Sequence, residues 1–231
     1  MTLRALIFDV DGTLAETEEL HRRAFNDTFA VEGLAWDWDR DGYRELLKTT
    51  GGKERMLAFA AREGIDFSTE EAARLHKIKT ARYATLVDRG GLELRPGIAE
   101  LIDKARAHGL KLAVATTTSP QNVDQLCHSC WGRAATEVFD TIAAGDQVAQ
   151  KKPAPDVYQL ALQQLGLPAE DTIAFEDTAN GVRSARAAGI RVVVTPSMYS
   201  GAEDFTGADW ILPTLARANW TADLASLLPA A

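Results

Sequence analysis

Short runs rich in apolar and β-branched residues alternate along most of the chain with alanine-rich segments of helical period. The runs cover residues 3–8, 111–116, 141–144, 172–176 and 191–195, with a shorter one at 210–212. Strands that alternate with helices are typical of βαβ units, and strands covered on both faces are apolar along their whole length. The pattern therefore predicts an α/β fold with a parallel sheet between two layers of helices.

Proline and glycine mark the ends of the helical segments. Helices commonly begin near a proline and end at a glycine, which tolerates the left-handed backbone of a helix end. The paired starts and ends are Pro96-Gly97 with Gly109, Pro155 with Gly166, and Asn180 with Gly189. Ser119 followed by Pro120 predicts the start of another helix, which contains both cysteines.

Residues 16–90 contain no convincing strand, and their pattern predicts several helices. Ser68 and Glu71 have the spacing of a capping box that opens the last of these helices. Because the strand at 3–8 has no successor until 111–116, the helical block is predicted to be an insertion. We expect a core domain of residues 1–15 and 91–231 and an inserted helical domain of residues 16–90.

Composition and charge narrow the classes of partner. With 231 residues, 46% of them hydrophobic and 25% charged, the chain has the composition of a globular protein. Its formal net charge of -8 disfavours nucleic acid and anionic membranes, and no basic stripe compensates. No signal-peptide core is complete before Asp9, and no run approaches the roughly 18 apolar residues of a membrane span. We expect a cytoplasmic monomer that binds a small molecule.

The two cysteines, Cys127 and Cys130, have a spacing compatible with a redox pair or with half of a zinc site. The sequence contains no second pair of ligands for such a metal site. Because both residues lie in the helix predicted to begin after Ser119, we expect structural thiols.

Polar side chains lie at or just beyond the carboxyl ends of four predicted strands. They are Asp9 and Asp11 after the first, Thr116 to Ser119 at the second, Lys151 and Lys152 after the third, and Glu176 and Asp177 at the fourth. In open α/β sheets, ligands bind outside the carboxyl ends of the strands, so these groups are expected to form one site. The alternatives are that the first acids are only a solvated strand end and that the lysines lie at the surface.

The chemistry of these groups suits phosphoryl transfer to a carboxylate. A phosphate monoester is an anion, so a carboxylate nucleophile approaches it only where a cation and fixed donors offset the repulsion. Asp9 and Asp177 offer hard oxygen ligands for Mg²⁺, while Glu176 either joins them or orients waters on the metal. The expected donors to the phosphoryl oxygens are the Lys152 ammonium, the Thr116 hydroxyl and the backbone N–H groups near Thr117 and Thr118. Asp11 is placed to protonate the leaving oxygen and then to activate water.

In this combination the residues resemble the haloacid dehalogenase-like phosphohydrolases, whose four motifs occur here in order across the predicted core. The segment from Asp9 to Thr13 resembles motif one, with Asp9 as nucleophile and Asp11 as acid and base. Thr116, Lys152 and the pair Glu176-Asp177 stand where motifs two, three and four place a hydroxyl, a lysine and metal acids. The resemblance implies a Rossmann-like core, an aspartyl-phosphate intermediate, and Mg²⁺ held by the Asp9 side chain, the Asp11 carbonyl and Asp177.

Finer similarity points to the CbbY-type phosphatases, within the subgroup that includes β-phosphoglucomutase and phosphoglycolate phosphatase. The segments that carry it are residues 15–21, 49–55, 115–119 and 176–181. This resemblance implies a small α-helical cap at residues 16–90. It also implies hydrolysis of xylulose 1,5-bisphosphate, a misfire product that inhibits Rubisco, to xylulose 5-phosphate. Glu16 and Thr117 depart from the aspartate and the small residue common in relatives, and neither change removes a catalytic group.

The segment Gly51-Gly52-Lys53-Glu54-Arg55 places an N–H-rich turn beside two cations at a predicted helix start. Such a turn suits a second phosphate, so Gly52, Lys53 and Arg55 are expected to anchor the phosphate of a bisphosphate that does not react. The alternative is that both cations belong to an ordinary charged helix face.

Three further residues of the inserted segment, Glu18, His21 and Tyr43, are expected to line the sugar. For His21 the alternative is a packed or surface histidine. Trp36 and Trp38 are expected to pack inside the insertion rather than to form a sugar platform.

Enzymatic and non-enzymatic functions remain open at this point. A silent phosphometabolite-binding relative would usually lack the nucleophile or a metal acid, but Asp9, Asp11, Lys152 and Asp177 are all present. Among enzymes, a phosphomutase shares the aspartyl-phosphate but passes the phosphoryl group to a sugar hydroxyl instead of water. Phosphoglycolate phosphatase and other sugar-phosphate phosphatases are further alternatives.

Overall fold

The computed structural model describes residues 2–228 and contains a six-stranded sheet in which all neighbouring strands are parallel. The strands are β1 (Ala5–Phe8), β2 (Lys111–Thr116), β3 (Thr141–Ala144), β4 (Thr172–Glu176), β5 (Arg191–Val194) and β6 (Trp210–Ile211). Their order in the sheet is β3-β2-β1-β4-β5-β6. The strand order reverses at β1, so the carboxyl ends of β1, β2 and β4 meet where such sheets bind ligands.

The sequence predicted all six strands but not their order in the sheet. The bounds of β2, β3 and β4 agree with the prediction, while β1, β5 and β6 are shorter by one or two residues. Every residue of β1 is fully buried. The expectation of a buried parallel sheet is confirmed.

The first four helices after β1 are α1 (Glu18–Val31), α2 (Arg40–Leu46), α3 (Gly52–Arg62) and α4 (Thr69–Gly90). The capping box at the start of α4 is present, because Ser68 and Glu71 cap each other's backbone N–H groups. These helices surround a separate apolar cluster in which Trp36 and Trp38 are buried. The packing interpretation of both tryptophans is confirmed, whereas the boundaries of an inserted domain stay a prediction.

Of the remaining helices, the first lies directly before β2, and the others lie between or after the later strands. They are α5 (Ile98–Ala107), α6 (Pro120–Trp131), α7 (Ala135–Val138), α8 (Asp156–Leu165), α9 (Ala179–Ala187) and α10 (Ala222–Leu227). Leu6 and Phe8 of β1 pack in one cluster with α5 and α6, and Ile7 packs in the other cluster with α8 and α9. Because successive strand residues face opposite sides, this alternation gives the predicted three layers. Within residues 2–228, no helix combines the length and apolar character needed to cross a membrane.

Candidate active site

The carboxyl end of β1 brings together acids from two strands and one lysine. Asp9 follows β1 directly, and its backbone N–H donates to the Phe175 carbonyl of β4 at 2.9 Å. The Lys152 ammonium donates to Asp9 Oδ1 and to Glu176 Oε1, both at 2.6 Å. All three side chains are buried. The structure thus joins residues that stand more than 140 positions apart in the chain, as the sequence predicted.

Asp9, Glu176 and Asp177 offer carboxylate oxygens that all lie within 4.8 Å of one another. Burial raises the pKa of Asp9 to about 7, with Lys152 opposing the shift and Glu176 adding to it. Burial and the charges of Asp9 and Glu176 also raise the pKa of Asp177 well above its usual value. One lysine does not neutralise three crowded acids, so the donor set fits a hard divalent cation, which favours oxygen ligands.

Glu176 already has partners for both of its oxygens. Its Oε1 accepts from Lys152 and from the Tyr158 hydroxyl at 2.6 Å, and its Oε2 accepts weakly from the Asp177 backbone at 3.3 Å. The arrangement favours a role in orienting Lys152, and direct metal ligation by Glu176 stays a prediction. Tyr158 lies on α8, and no motif in the sequence pointed to it.

Gly12 lets the loop after β1 pass close to Asp177. Its φ of 84° lies in the left-handed region, and a Cβ at this position would overlap the Asp177 carboxylate. A glycine is therefore required both by the backbone conformation and by the space beside the acidic cluster.

Asp11 turns away from the acidic cluster toward α1. Its Oδ1 accepts from the Thr17 hydroxyl at 2.6 Å and lies 3.0 Å from His21 Nε2. Although burial acts in the opposite direction, His21 and the hydrogen bond from Thr17 hold the pKa of Asp11 well below its usual range. The two acids of the first motif therefore have different partners, and their pKa values are shifted in opposite directions.

His21 is also linked to α4. Its Nδ1 lies 2.6 Å from the buried Lys79 ammonium, and its ring stacks on Tyr83. Burial lowers the pKa of Lys79 to about 7. The His21 ring thus links the Lys79 ammonium to the Asp11 carboxylate. The packed-histidine alternative for His21 is thus correct in part, but its ring also faces the site.

Hydroxyl and amide donors stand at the end of β2. The buried Thr116 hydroxyl accepts from the Thr118 backbone N–H at 3.3 Å, and the Thr118 hydroxyl accepts from Asn122 at 2.9 Å. Ser119 caps α6 by accepting from the Asn122 backbone, as predicted. Thr116, Thr117 and Thr118 all line the same cavity as Asp9, Asp11 and Lys152.

The opposite wall of this cavity comes from α1, α3 and α4. Arg55 is only 8% exposed, and its Nη1 donates to the Tyr43 hydroxyl at 2.9 Å, which in turn donates to Glu18 at 2.8 Å. Its Nε has no partner among the described residues. Arg55, Glu18 and Gly52 line the cavity, whereas Tyr43 is buried behind them and supports Arg55. A sugar contact by Tyr43 therefore has no support in the structure.

Lys53 faces a different place from Arg55. Its ammonium contacts Asp146 Oδ2 at 2.6 Å, while Lys151 contacts the other oxygen of Asp146 at 2.8 Å. Lys53 lines an outer groove and not the cavity that holds Asp9. The cavity has a volume of about 100 Å³ and the groove about 720 Å³.

The cysteines lie apart from this site. Cys127 is buried in α6, Cys130 is partly buried, and both are free thiols. Burial raises their pKa values to about 12 and about 11, so both stay protonated. Among the described residues, the one group of three or more possible metal ligands is the acidic cluster, and it contains no cysteine. The interpretation of both cysteines as structural thiols is therefore unchanged.

Comparison with known proteins agrees with this geometry. A family model described as haloacid dehalogenase-like hydrolase matches residues 3–189. The protein CbbY of Rhodobacter capsulatus is 57% identical over 218 residues, which are 94% of this chain and 96% of that protein. The crystal structure of CbbY from Rhodobacter sphaeroides in complex with phosphate is 53% identical, with a TM-score of 0.92 over 96% of this chain and 99% of that one.

A second crystal structure of the Rhodobacter sphaeroides protein is a mutant in complex with xylulose-(1,5)bisphosphate. It is 52% identical, with a TM-score of 0.92 and the same coverage of 96% and 99%. Family match, high identity and near-complete coverage agree with the acids, hydroxyl and lysine found at the strand ends. The chain therefore belongs to the haloacid dehalogenase-like hydrolases, within the CbbY-type subgroup, and is a phosphatase of that family.

Proposed function

We propose that this phosphatase is Mg²⁺-dependent, acts through an aspartyl-phosphate on Asp9, and converts xylulose 1,5-bisphosphate into xylulose 5-phosphate. The observation that carries the proposal is the pairing of two anion-binding ends in one cavity. Lys152 and the acidic cluster that includes Asp9 form one end. The buried Arg55, which has no carboxylate partner within residues 2–228, forms the other. The bisphosphate-bound CbbY neighbour supports the same substrate class.

Asp9 is the group that attacks phosphorus. One carboxylate oxygen forms the new bond to phosphorus while the bond from phosphorus to the sugar oxygen breaks, and the phosphoryl group is left on Asp9. Lys152 donates a hydrogen bond to Asp9 at 2.6 Å. The Lys152 ammonium keeps its positive charge, because Asp9 and Glu176 together raise the pKa of Lys152 despite its burial. Asp9 and Asp177 would hold a divalent ion, which would supply positive charge to offset the charge of the phosphoryl oxygens.

Asp11 acts as the general acid and then as the general base. An incoming anionic phosphate raises the pKa of this acid by like-charge repulsion, so the carboxyl can be protonated before transfer and donate to the leaving sugar oxygen. The resulting carboxylate then accepts a proton from the water that attacks the phosphoryl group on Asp9. His21 and Thr17 hold the carboxylate in place for this second step.

Arg55 anchors the phosphate that does not react. Its guanidinium is buried, lies over the Tyr43 ring at 5.1 Å from the centroid, and has no partner for Nε among the described residues. A planar guanidinium is well suited to bind phosphate, and its cost of burial is offset only when an anion arrives. Bisphosphates are therefore favoured over monophosphates.

A phosphate-release screen across sugar mono- and bisphosphates, with Mg²⁺ or with a chelator, tests the proposal. We expect release from xylulose 1,5-bisphosphate to be fastest and to stop when the chelator is added. Conversion of β-glucose 1-phosphate into glucose 6-phosphate, without net phosphate release, would instead identify a phosphomutase. Equal activity with the chelator would contradict the metal dependence.

A further inference from the structure

The loop after β5 reaches into the helical segment formed by α1 to α4. Tyr199 of this loop is 5% exposed and packs in the apolar cluster that contains Trp36 and Trp38. The other buried members of that cluster come from residues 25–75. Tyr199 also lines the cavity that holds Asp9. A residue that follows the last long strand of the sheet is thus part of the apolar core of the helical segment.

The loop is tied to the sheet before it reaches Tyr199. The Thr195 N–H donates to the Glu176 carbonyl of β4 at 2.9 Å. The Arg95 guanidinium, from the segment before α5, donates to the Pro196 carbonyl at 2.8 Å. Tyr199 is therefore carried by the sheet, while the rings around it are carried by the helical segment.

The Tyr199 hydroxyl is used outside the cavity. It donates to Glu19 Oε2 at 2.5 Å, and Glu19 does not line the cavity. A hydrogen bond from Arg22, with a further one from Tyr199, lowers the pKa of Glu19 to about 2, so the acceptor is a carboxylate at neutral pH. A phenol has one O–H, which is already donated here. Tyr199 therefore acts on the cavity through its ring.

That ring supports the Arg55 anchor through Tyr43. The two tyrosine rings meet edge to face, with centroids 5.6 Å apart and an interplanar angle of 84°. Tyr43 in turn lies under the Arg55 guanidinium and accepts from its Nη1 at 2.9 Å. Because edge-to-face pairs have a preferred geometry, Tyr199 fixes the plane of the Tyr43 ring, and that ring fixes the guanidinium.

We propose that Tyr199 is a positioning residue that holds Tyr43, and through it Arg55, in the orientation that binds the phosphate that is not transferred. This role rests on the proposed function, because it requires Arg55 to be the anchor of a bisphosphate. Opening of the helical segment would separate Tyr199 from Tyr43, and closure would restore the support. The anchor is then fully formed only when the segment is closed over the strand ends.

Tyr199→Leu and Tyr199→Phe separate the ring from the hydroxyl, and both keep an apolar side chain in the cluster. For Tyr199→Leu, we expect KM for xylulose 1,5-bisphosphate to rise about fivefold, as for a lost aromatic pair. For xylulose 1-phosphate, which lacks the anchored phosphate, we expect KM to change less than about twofold on the same scale. Tyr199→Phe keeps the ring and should leave both KM values close to those of the native protein.

A double-mutant cycle with Arg55→Ala distinguishes positioning from a general loss of structure. In the Arg55→Ala background no guanidinium is left to orient, so Tyr199→Leu should change KM for the bisphosphate less than about twofold. Met198→Ala is the control, because Met198 is the exposed neighbour in the same loop and does not line the cavity. It should behave like the native protein.

Three results would overturn the role of Tyr199 and leave the proposed function standing. They are an unchanged KM in Tyr199→Leu, equal losses for both substrates, and a loss that persists in the Arg55→Ala background. If the unsubstituted protein released no phosphate from xylulose 1,5-bisphosphate, the proposed function would fall, and the role of Tyr199 with it.

Discussion

At the scale of single residues, the charged groups that the reaction requires lower the stability of the fold. Three buried carboxylates face one lysine, and the raised pKa of Asp9 shows that its charge is disfavoured in the folded chain. A carboxyl with a raised pKa lowers the free energy of unfolding once the pH exceeds its unfolded value. The charge that makes Asp9 a nucleophile is therefore a cost to the metal-free fold.

Asp9→Asn is expected to abolish phosphate release and to leave the metal-free protein as stable as before, or more stable. The amide keeps the shape and removes one crowded charge. Lys152→Met removes the positive charge of the same ion pair. It leaves the acids unpaired and should lower the free energy of unfolding by about 3 kcal/mol or more. Urea unfolding in the presence of a chelator measures the free energy of unfolding of both variants. An active Asp9→Asn variant would exclude Asp9 as the nucleophile.

His76 gives a prediction for acid stability. Its pKa is lowered to about 3, so between pH 6.5 and 3 the unfolded chain binds a proton that the folded chain does not. Stability is then lost as the pH falls below 6.5. From pH 7.5 to pH 5, the native protein should lose about 1–2 kcal/mol more than His76→Leu. The exposed His108→Leu is the control, and a parallel loss in the native protein and His76→Leu would contradict a neutral, partly buried ring at His76.

Sequence reasoning found the residues at the strand ends and missed those that reach the site from helices. Asp9, Thr116, Lys152 and Asp177 were predicted because the end of a parallel strand fixes their location locally. Lys79, His76 and Tyr158 were missed because a polar residue on an amphipathic helix usually faces water. Only the packing of α4 and α8 shows that these three do not.

At the scale of elements, the start of α3 explains why the two cations of the glycine-rich segment have different roles. Successive helix residues are rotated by about 100°, so Lys53 and Arg55 point in nearly opposite directions once the helix begins at Gly52. Only Arg55 faces the cavity. The expectation that both cations anchor one phosphate overlooked this rotation, which the sequence alone could have shown.

The contact between α3 and α4 gives a second prediction. Gly52→Ala should push the His76 ring from its place, because the added Cβ would approach within 2.6 Å of it. We expect weaker binding of xylulose 1,5-bisphosphate and a lower unfolding temperature. In the His76→Ala background the added methyl group meets only the Phe25 ring, at 3.2 Å, so Gly52→Ala should cost less further stability than in the native protein. A double-mutant cycle by thermal unfolding measures this coupling, and additive effects would contradict the contact.

At the scale of the whole molecule, the helical segment is closed over the strand ends. The Thr50 hydroxyl donates to the Lys152 carbonyl, Asn180 donates to the Lys48 carbonyl at 3.1 Å, and Lys53 pairs with Asp146. The cavity of about 100 Å³ is smaller than the roughly 300–1,000 Å³ of typical ligand sites. A sugar bisphosphate therefore requires these contacts to open before it binds.

Lys53 and Arg55 should respond differently to truncation. Arg55→Ala is expected to raise KM for xylulose 1,5-bisphosphate tenfold or more, about the loss of a charged hydrogen bond, with little effect on xylulose 1-phosphate. Lys53→Ala removes a partly exposed ion pair between α3 and Asp146, worth about 0–1 kcal/mol, and should change both substrates alike and less at high salt. If Lys53→Ala raised KM for xylulose 1,5-bisphosphate more than for xylulose 1-phosphate, Lys53 would be an anchor of the second phosphate after all.

In the proposed reaction, the protein removes one phosphate from a sugar bisphosphate by transfer to water. Phosphorus NMR of xylulose 1,5-bisphosphate with the protein and Mg²⁺ tests it most directly. We predict loss of the 1-phosphate signal, an equal amount of inorganic phosphate, and xylulose 5-phosphate that remains. An unchanged spectrum, or a new sugar phosphate without inorganic phosphate, would contradict it.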